Sequence, residues 1–197
     1  QYEGANFTFL FAPAYNPAIA HVQPVRKALG VSTLFNTMGP LLSPARPEFQ
    51  IMGIANPAQG QIIAEVFREL GRTHALVVHG SGTDEIAVHG STEAWELHNG
   101  EITHYEITPE EIGIPRHELS ELAGGDGAEN ARLIRDVFAG KGKRAHRDAI
   151  VATAGAMFYV YGTTPTIREG AQLAAQLIDS LSLIHISEPT RRVVISY

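Results

Sequence analysis

The sequence contains no cysteine, which excludes a disulfide framework, a thiolate nucleophile and thiolate metal ligands. It also lacks a run of lysine and arginine, and its formal net charge is -6, so neither a nucleic-acid-binding surface nor a polybasic membrane patch is expected. No apolar stretch approaches the roughly 18 residues that suggest a membrane-spanning helix. These absences favour a globular protein of a reducing compartment, and the cytoplasm is the expected location.

The two ends of the sequence differ from its centre. The chain begins with Gln1 instead of methionine, just before the apolar run 7–11, so we expect a piece of a longer protein. At the other end, a charged stretch around Pro189 interrupts the helical pattern, and the β-prone run from Val193 to Ile195 follows it. We therefore expect residues 182–197 to be a non-native or disordered tail.

The first half of the chain contains the pattern of a βαβ unit. Phe49–Ala55 has the length of a strand, and Ala75–Val78 is typical of a strand covered on both faces. Between them, Asn56 and Pro57 begin a helix that ends at Gly71. We expect this helix to place five apolar side chains on one face: Ile62, Ile63, Val66, Phe67 and Leu70. The unit predicts a parallel sheet with a right-handed crossover.

The second half begins with a hairpin and continues with helices. Asn99-Gly100 predicts the turn between Ala94–Leu97 and Ile102–Ile107, which we interpret as a small antiparallel excursion. Apolar positions at helical spacing then predict three helices, at residues 127–139, 147–161 and 167–181. The whole pattern predicts an α/β fold with a mostly parallel sheet flanked by helices.

A polar loop, His79 to Glu85, follows the second strand of the unit. In open α/β sheets, ligands bind outside the carboxyl ends of the strands. Asp84 and Glu85 offer the hard oxygen ligands that Mg²⁺ prefers. An acidic, solvated turn is the other interpretation of such a pair, and the residue types alone leave both open.

The remaining polar candidates are expected to be structural. His79 is predicted to be a strand-end histidine bonded to the backbone. Gly124 to Gly127 has no preceding strand, so it is predicted to cap the next helix and not to bind phosphate. Seven other histidines share no spacing that suggests a zinc site, and we interpret them as surface or structural residues: His21, His74, His89, His98, His104, His117 and His146.

From about Phe7 to Leu181, the sequence resembles the anthranilate phosphoribosyltransferase family. Three ordered sets of motifs carry the resemblance: Phe9–Pro13 with Pro24–Gly30, Phe35–Leu41 with Pro44–Arg46, and Val77–Gly80 with Asp84-Glu85. The resemblance implies transfer of a phosphoribosyl group from phosphoribosyl pyrophosphate to anthranilate in tryptophan biosynthesis, with Mg²⁺ as cofactor. The family's glycine-rich pyrophosphate loop would lie before Gln1, so we expect this piece alone to be inactive.

The resemblance also implies a domain organisation. The family combines a small helical domain with a larger α/β domain, places the active site in the cleft between them, and forms a homodimer through the helical domain. Residues 1–181 would then be a partial α/β glycosyltransferase domain. Part of 7–42 would pack toward the helical domain, which this sequence lacks.

The resemblance assigns roles to individual residues. Arg26 matches the family's anthranilate-binding arginine, and its planar guanidinium can hold a carboxylate with two parallel hydrogen bonds. Asp84 and Glu85 would be the Mg²⁺ ligands. No side chain is assigned as a catalytic acid or base, because the amine of anthranilate is already a nucleophile. Asn36 is expected to fix a turn, and Thr153 stands where relatives often have asparagine.

Two alternatives stay open. The first is an enzyme similar to the pyrimidine nucleoside phosphorylases, which would bind phosphate and a nucleoside, although Arg26 and the Asp84-Glu85 pair argue against it. The second is a non-catalytic relative that binds nucleic acid, which the acidic charge balance disfavours.

Overall fold

A computed structural model of the chain describes residues 39–180. The chain divides after Glu48, and every element below lies on the C-terminal side of this division. Arg26, Asn36, the N-terminal part of 7–42 and the tail 182–197 lie outside the described residues, so their assignments stay predictions.

The predicted βαβ unit is present. Strand β1 (Phe49–Gly53) leads through a 3₁₀ turn (Pro57–Gln59) into helix α1 (Gly60–Glu69), and strand β2 (His74–Gly80) follows. The Asn56 side chain caps the turn by accepting a 3.1 Å hydrogen bond from the Ala58 amide. β1 and β2 are parallel, as the unit requires.

The hairpin extends the same sheet. Strands β3 (Thr92–His98) and β4 (Glu101–Ile107) are joined at Asn99 and Gly100, whose φ angles of 52° and 86° are those of a tight hairpin turn. β3 pairs antiparallel with β2 and with β4, giving the order β1-β2-β3-β4. The described sheet is thus mixed, and not mostly parallel as predicted. The reason is that the excursion pairs along the open edge of β2.

Helix α1 covers one face of the sheet with a narrower stripe than predicted. Four of its residues are buried, at the helical spacing i, i+3, i+4 and i+7: Gly60, Ile63, Ala64 and Phe67. Ile62 is 61% exposed and Leu70 45% exposed, so placing both on the buried face was wrong. A Cβ at position 60 would collide with the Trp95 ring, which explains why glycine begins the helix.

Three helices follow the hairpin: α2 (Gly127–Phe138), α3 (Arg144–Tyr161) and α4 (Ile167–Asp179). They share one apolar core with Leu76, Val78 and Ala94 of the sheet. Because these side chains alternate with those that face α1, the sheet is covered on both faces, and the predicted α/β class with flanking helices is confirmed. Among residues 39–180, no helix combines the length and apolarity needed to cross a bilayer.

Candidate functional site

A four-residue turn ends β2 and directs the chain into the acidic loop. Gly80 and Thr83 exchange two backbone hydrogen bonds of 3.0 and 2.9 Å, and the Thr83 hydroxyl donates a third, of 2.7 Å, to the Gly80 carbonyl. Ser81 and Gly82 between them have φ angles of 44° and 90°. Positive φ at both central positions defines a type I′ turn. Asp84 and Glu85 come directly after it.

Glycines at the carboxyl ends of the two parallel strands let this loop pass close by. A Cβ on Gly53 would collide with the backbone carbonyl of Asp84, and one on Gly80 would collide with the carbonyl of Glu85. His79 Nδ1 donates a 2.9 Å hydrogen bond to the Ile54 carbonyl, which confirms the predicted strand-end role of His79. The acidic loop therefore lies across the carboxyl ends of β1 and β2, where ligands bind in such sheets.

The carboxylates of Asp84 and Glu85 are both exposed. Within residues 39–180, neither of them has a hydrogen-bond or ion-pair partner. The pKa of the Glu85 carboxyl is raised, first because surrounding protein removes part of its water and second because Asp84 carries like charge. Two adjacent oxygen ligands without a counter-charge suit a cation that keeps several of its waters, as Mg²⁺ does.

Glu85 also borders a cavity of about 670 Å³. The walls are mostly apolar and come from the loop after β2, the segment before α2, and helices α2 and α3. Its polar lining comprises Thr83, Glu85, His89, Asn130, His146 and Thr153. Nδ1 atoms of His89 and His146 are buried without a hydrogen-bond partner in the described part of the chain. Largely apolar walls with a few polar groups are typical of a small-molecule site.

The glycine-rich segment beside this cavity is a helix cap, as predicted. The Asp126 side chain accepts a 2.9 Å hydrogen bond from the Glu129 amide at the start of α2. Asn130 holds the preceding backbone: its side chain accepts from the Gly125 amide at 2.9 Å and donates to the Gly125 carbonyl at 3.1 Å. These side chains satisfy polar groups of the loop and fix one rim of the cavity.

The structure describes some of the candidate site residues predicted from the sequence, and others lie outside the described residues. Asp84 and Glu85 lie together at the predicted end of the sheet. Thr153 lines the same cavity that Glu85 borders. Arg26 lies outside the described residues, so its distance from the acidic loop is untested. Sequence reasoning missed Gly53, although a glycine that ends a strand is a recognisable sign of close backbone approach.

It also missed a second polar group at the other end of β2. The potential ligand atoms of His74, Glu96 and His98 all lie within 4.8 Å of one another. Spacing along the chain did not reveal this cluster, because His74 meets the other two across a strand pair. The interpretation of these two histidines as surface or structural residues did not include their contact with each other and with Glu96.

Comparison with known proteins gives concordant results. Residues 2–181 match the family model described as glycosyl transferase family, a/b domain. An anthranilate phosphoribosyltransferase of Corynebacterium aurimucosum is 74% identical over 178 residues, which cover 90% of this chain and 52% of that protein. The crystal structure of the Thermus thermophilus anthranilate phosphoribosyltransferase aligns with a TM-score of 0.85 at 40% identity, covering 94% of this chain and 55% of that one.

A further relative of known structure was solved with bound ligands. The Saccharomyces cerevisiae anthranilate phosphoribosyltransferase in complex with phosphoribosyl pyrophosphate and Mg aligns with a TM-score of 0.82 at 28% identity, covering 92% of this chain and 53% of that one. The chain thus spans about half the length of the relatives it matches. Because the family model covers nearly all of the sequence, this chain belongs to the glycosyl transferase family, a/b domain.

Proposed function

We propose that this chain is part of an anthranilate phosphoribosyltransferase, and that the whole protein transfers the phosphoribosyl group of phosphoribosyl pyrophosphate to anthranilate in tryptophan biosynthesis. The observation that carries the proposal is the 74% identity to the Corynebacterium aurimucosum protein of that name. The geometry supports it, since the acidic loop lies at the ligand-binding end of a parallel strand pair.

In this proposal, Asp84 and Glu85 hold Mg²⁺ at the pyrophosphate. The residues fit the ion: both carboxylates are exposed, and the like charge of Asp84 helps to raise the pKa of Glu85, a repulsion that a bound cation would relieve. When bound, the ion supplies positive charge that stabilises the leaving pyrophosphate. The type I′ turn and the close contact with Gly53 fix the loop backbone, so the positions from which the two acidic side chains extend are set before substrate binds.

The reaction needs little further chemistry from the protein. The C1–O bond to pyrophosphate breaks and its electron pair leaves with the pyrophosphate, while the amine of anthranilate forms the new N–C1 bond and then loses a proton to water. Because this amine is a nucleophile without prior deprotonation, no side chain need act as a base before attack. Positioning of the two substrates and electrostatic stabilisation of the transition state would then provide most of the rate enhancement.

Arg26 is proposed to bind the carboxylate of anthranilate. The chemical support is that guanidinium and carboxylate form two parallel, charge-assisted hydrogen bonds, which fix the orientation of a planar ligand. A lysine offers a point charge without this geometry. The homodimer and a helical domain beyond this chain, which the family resemblance implies, and the cytoplasmic location, which the composition favours, are parts of the same proposal.

A chimera tests the activity without assuming that the chain works alone. Residues 2–181 replace the matching stretch of the Corynebacterium aurimucosum relative, and consumption of anthranilate is followed by its fluorescence with phosphoribosyl pyrophosphate and Mg²⁺. We expect turnover, and a loss of at least about 100-fold in kcat/KM for the double variant Asp84→Asn, Glu85→Gln. Arg26→Lys should mainly raise KM for anthranilate.

Asp136→Asn is the matched control, because it removes a carboxylate of helix α2 that pairs with Arg132 at the surface; it should leave turnover unchanged. A folded chimera that consumes thymidine and phosphate but not anthranilate would overturn the proposal in favour of a nucleoside phosphorylase. Turnover that survives loss of both acidic side chains would refute their metal role.

A further inference from the structure

We propose that His74, Glu96 and His98 form a zinc-binding site at the end of the sheet opposite the acidic loop. His74 and His98 are directly opposed residues of the antiparallel pair β2–β3. Glu96 precedes His98 by two positions, so strand alternation puts all three side chains on the same face. Their potential ligand atoms lie within 4.8 Å of one another.

The ligand types fit zinc better than magnesium. Two imidazoles and one carboxylate are a common protein set for Zn²⁺, which completes a tetrahedron with water, whereas Mg²⁺ prefers oxygen ligands alone. Bonds of about 2 Å in a tetrahedron place ligand atoms roughly 3.3 Å apart. Side-chain rotation is therefore enough to bring this cluster into coordination distance, without movement of the strands.

Burial and access are those of a metal site. The side chains of His74 and Glu96 are only 6% and 9% exposed, and His74 Nε2 lies 2.7 Å from Glu96 Oε1. His98 is exposed and stacks on His74, with ring centroids 4.2 Å apart and an interplanar angle of 13°. Within residues 39–180, no hydrogen bond or ion pair fixes the His98 ring, so in this part of the chain mainly its stacking on His74 opposes a turn toward an entering ion.

A second layer of side chains already orients the carboxylate. Tyr159 of α3 donates a 2.7 Å hydrogen bond to Glu96 Oε1, and Tyr105 of β4 donates one of 2.6 Å to Glu96 Oε2. Such outer partners fix ligand geometry and raise metal affinity. Zinc needs the lone pair of His74 Nε2, so the proton that this nitrogen now donates to Glu96 moves to Nδ1 or to solvent on binding.

The site would be separate from the acidic loop. It lies at the beginning of β2, while the acidic loop follows the end of that strand, roughly 20 Å away along the strand. An ion there would join β2 directly to the hairpin and, through Tyr159, would strengthen the contact of the sheet with α3. The inference therefore stands independently of the proposed transferase reaction.

The test is a zinc titration of the chain of 197 residues, freed of metal with a chelator, by calorimetry, with Co²⁺ absorption as a report on four-coordinate geometry. We expect one zinc ion per chain, no competition from Mg²⁺, and a higher melting temperature with zinc. His98→Ala is the informative variant, since its exposed side chain is not needed for packing. Loss of a direct ligand should weaken zinc binding by more than about 100-fold, beyond the range expected for an outer partner such as Tyr159.

His104→Ala is the matched control. His104 lies in the same hairpin, is exposed, stacks on Trp95 with centroids 4.5 Å apart, and meets Glu93 at 3.3 Å. Its register opposite Trp95 places it on the other face of the sheet, so zinc affinity should not change. Absence of stoichiometric binding, retention of full affinity in His98→Ala, or loss of affinity in His104→Ala would each overturn the proposal.

Discussion

Gly53 lies directly against the backbone carbonyl of Asp84, so closely that a Cβ on Gly53 would collide with it. We therefore predict that Gly53→Ala pushes the acidic loop off the end of β1. The neighbouring atoms belong to the Asp84 backbone and not to the end of a flexible side chain, so the clash cannot be relieved by a rotamer change. Overpacking of this kind costs about 1–3 kcal/mol. Urea unfolding of the chain would measure the loss.

The control for this substitution is Gly127→Ala. A Cβ at Gly127 meets nothing within 4 Å, and alanine is the better helix former by about 1 kcal/mol, so stability should stay the same or rise slightly. Equal stability of Gly53→Ala and the original chain would mean that the loop does not pass over β1 as the structure has it.

A second close approach holds helices α3 and α4 together. A Cβ on Gly155 would lie 2.7 Å from the Ala171 Cα, and one on Gly170 would collide with the Gly155 carbonyl. We predict that Gly155→Ala destabilises the chain by about 2 kcal/mol or more, because two helix backbones must separate, with loss of their shared packing. Thermal unfolding should show it, and an unchanged melting temperature would contradict this helix contact.

An ion pair joins the beginning of α3 to the end of α4. Arg147 donates to both carboxylate oxygens of Asp179, at 3.1 and 2.7 Å, and also to Asp148 at 3.1 Å. Since the Asp179 side chain is 64% exposed, we predict a loss of only about 1 kcal/mol for Arg147→Ala. Arg147→Lys should not restore it, because lysine cannot form the two parallel bonds.

Arg132→Ala provides the comparison for that prediction. Arg132 pairs with Asp136 one turn along α2, at 2.9 Å, and is 61% exposed, so its removal should cost no more than about 0.5 kcal/mol. Urea unfolding at low and high salt distinguishes the two arginines. Equal losses of unfolding free energy for the two variants would show that the pair of hydrogen bonds from Arg147 to Asp179 adds nothing to stability.

Local signals explain what the sequence could predict. Asn56 and Pro57 mark the start of the helix in the βαβ unit, and Asn99-Gly100 needs only its own backbone preference to predict the hairpin. The Asp84-Glu85 pair was found because it follows an apolar strand. Each of these depends on residues close together in the chain, and the structure has each of them where the sequence predicts it; the metal role of the acidic pair stays a prediction.

Long-range pairing explains what the sequence could not predict. Whether the hairpin stands alone or joins β2 depends on contacts between residues such as His74 and His98, which lie far apart in the chain but opposite each other in the sheet. The prediction that Ile62 is buried in α1 was wrong. Apolar residues lie on more than one side of this helix, and the sequence alone does not show which side packs on the sheet. The contact of Gly53 with Asp84 in the acidic loop likewise joins residues that lie far apart in the chain.

The buried carboxylate of Glu96 predicts a pH dependence of stability. Burial alone would raise its pKa, but hydrogen bonds from His74, Tyr105 and Tyr159 lower it to about 2, from 4.5. Between these values the unfolded chain binds more protons, so stability is fully present above about pH 4.5 and falls as the pH drops toward 2, by roughly 3 kcal/mol. Urea unfolding in chelator across this range should show a flatter profile for Glu96→Gln than for Glu93→Gln, whose side chain is 38% exposed. Identical slopes for the two variants would mean that Glu96 is not held as a buried anion.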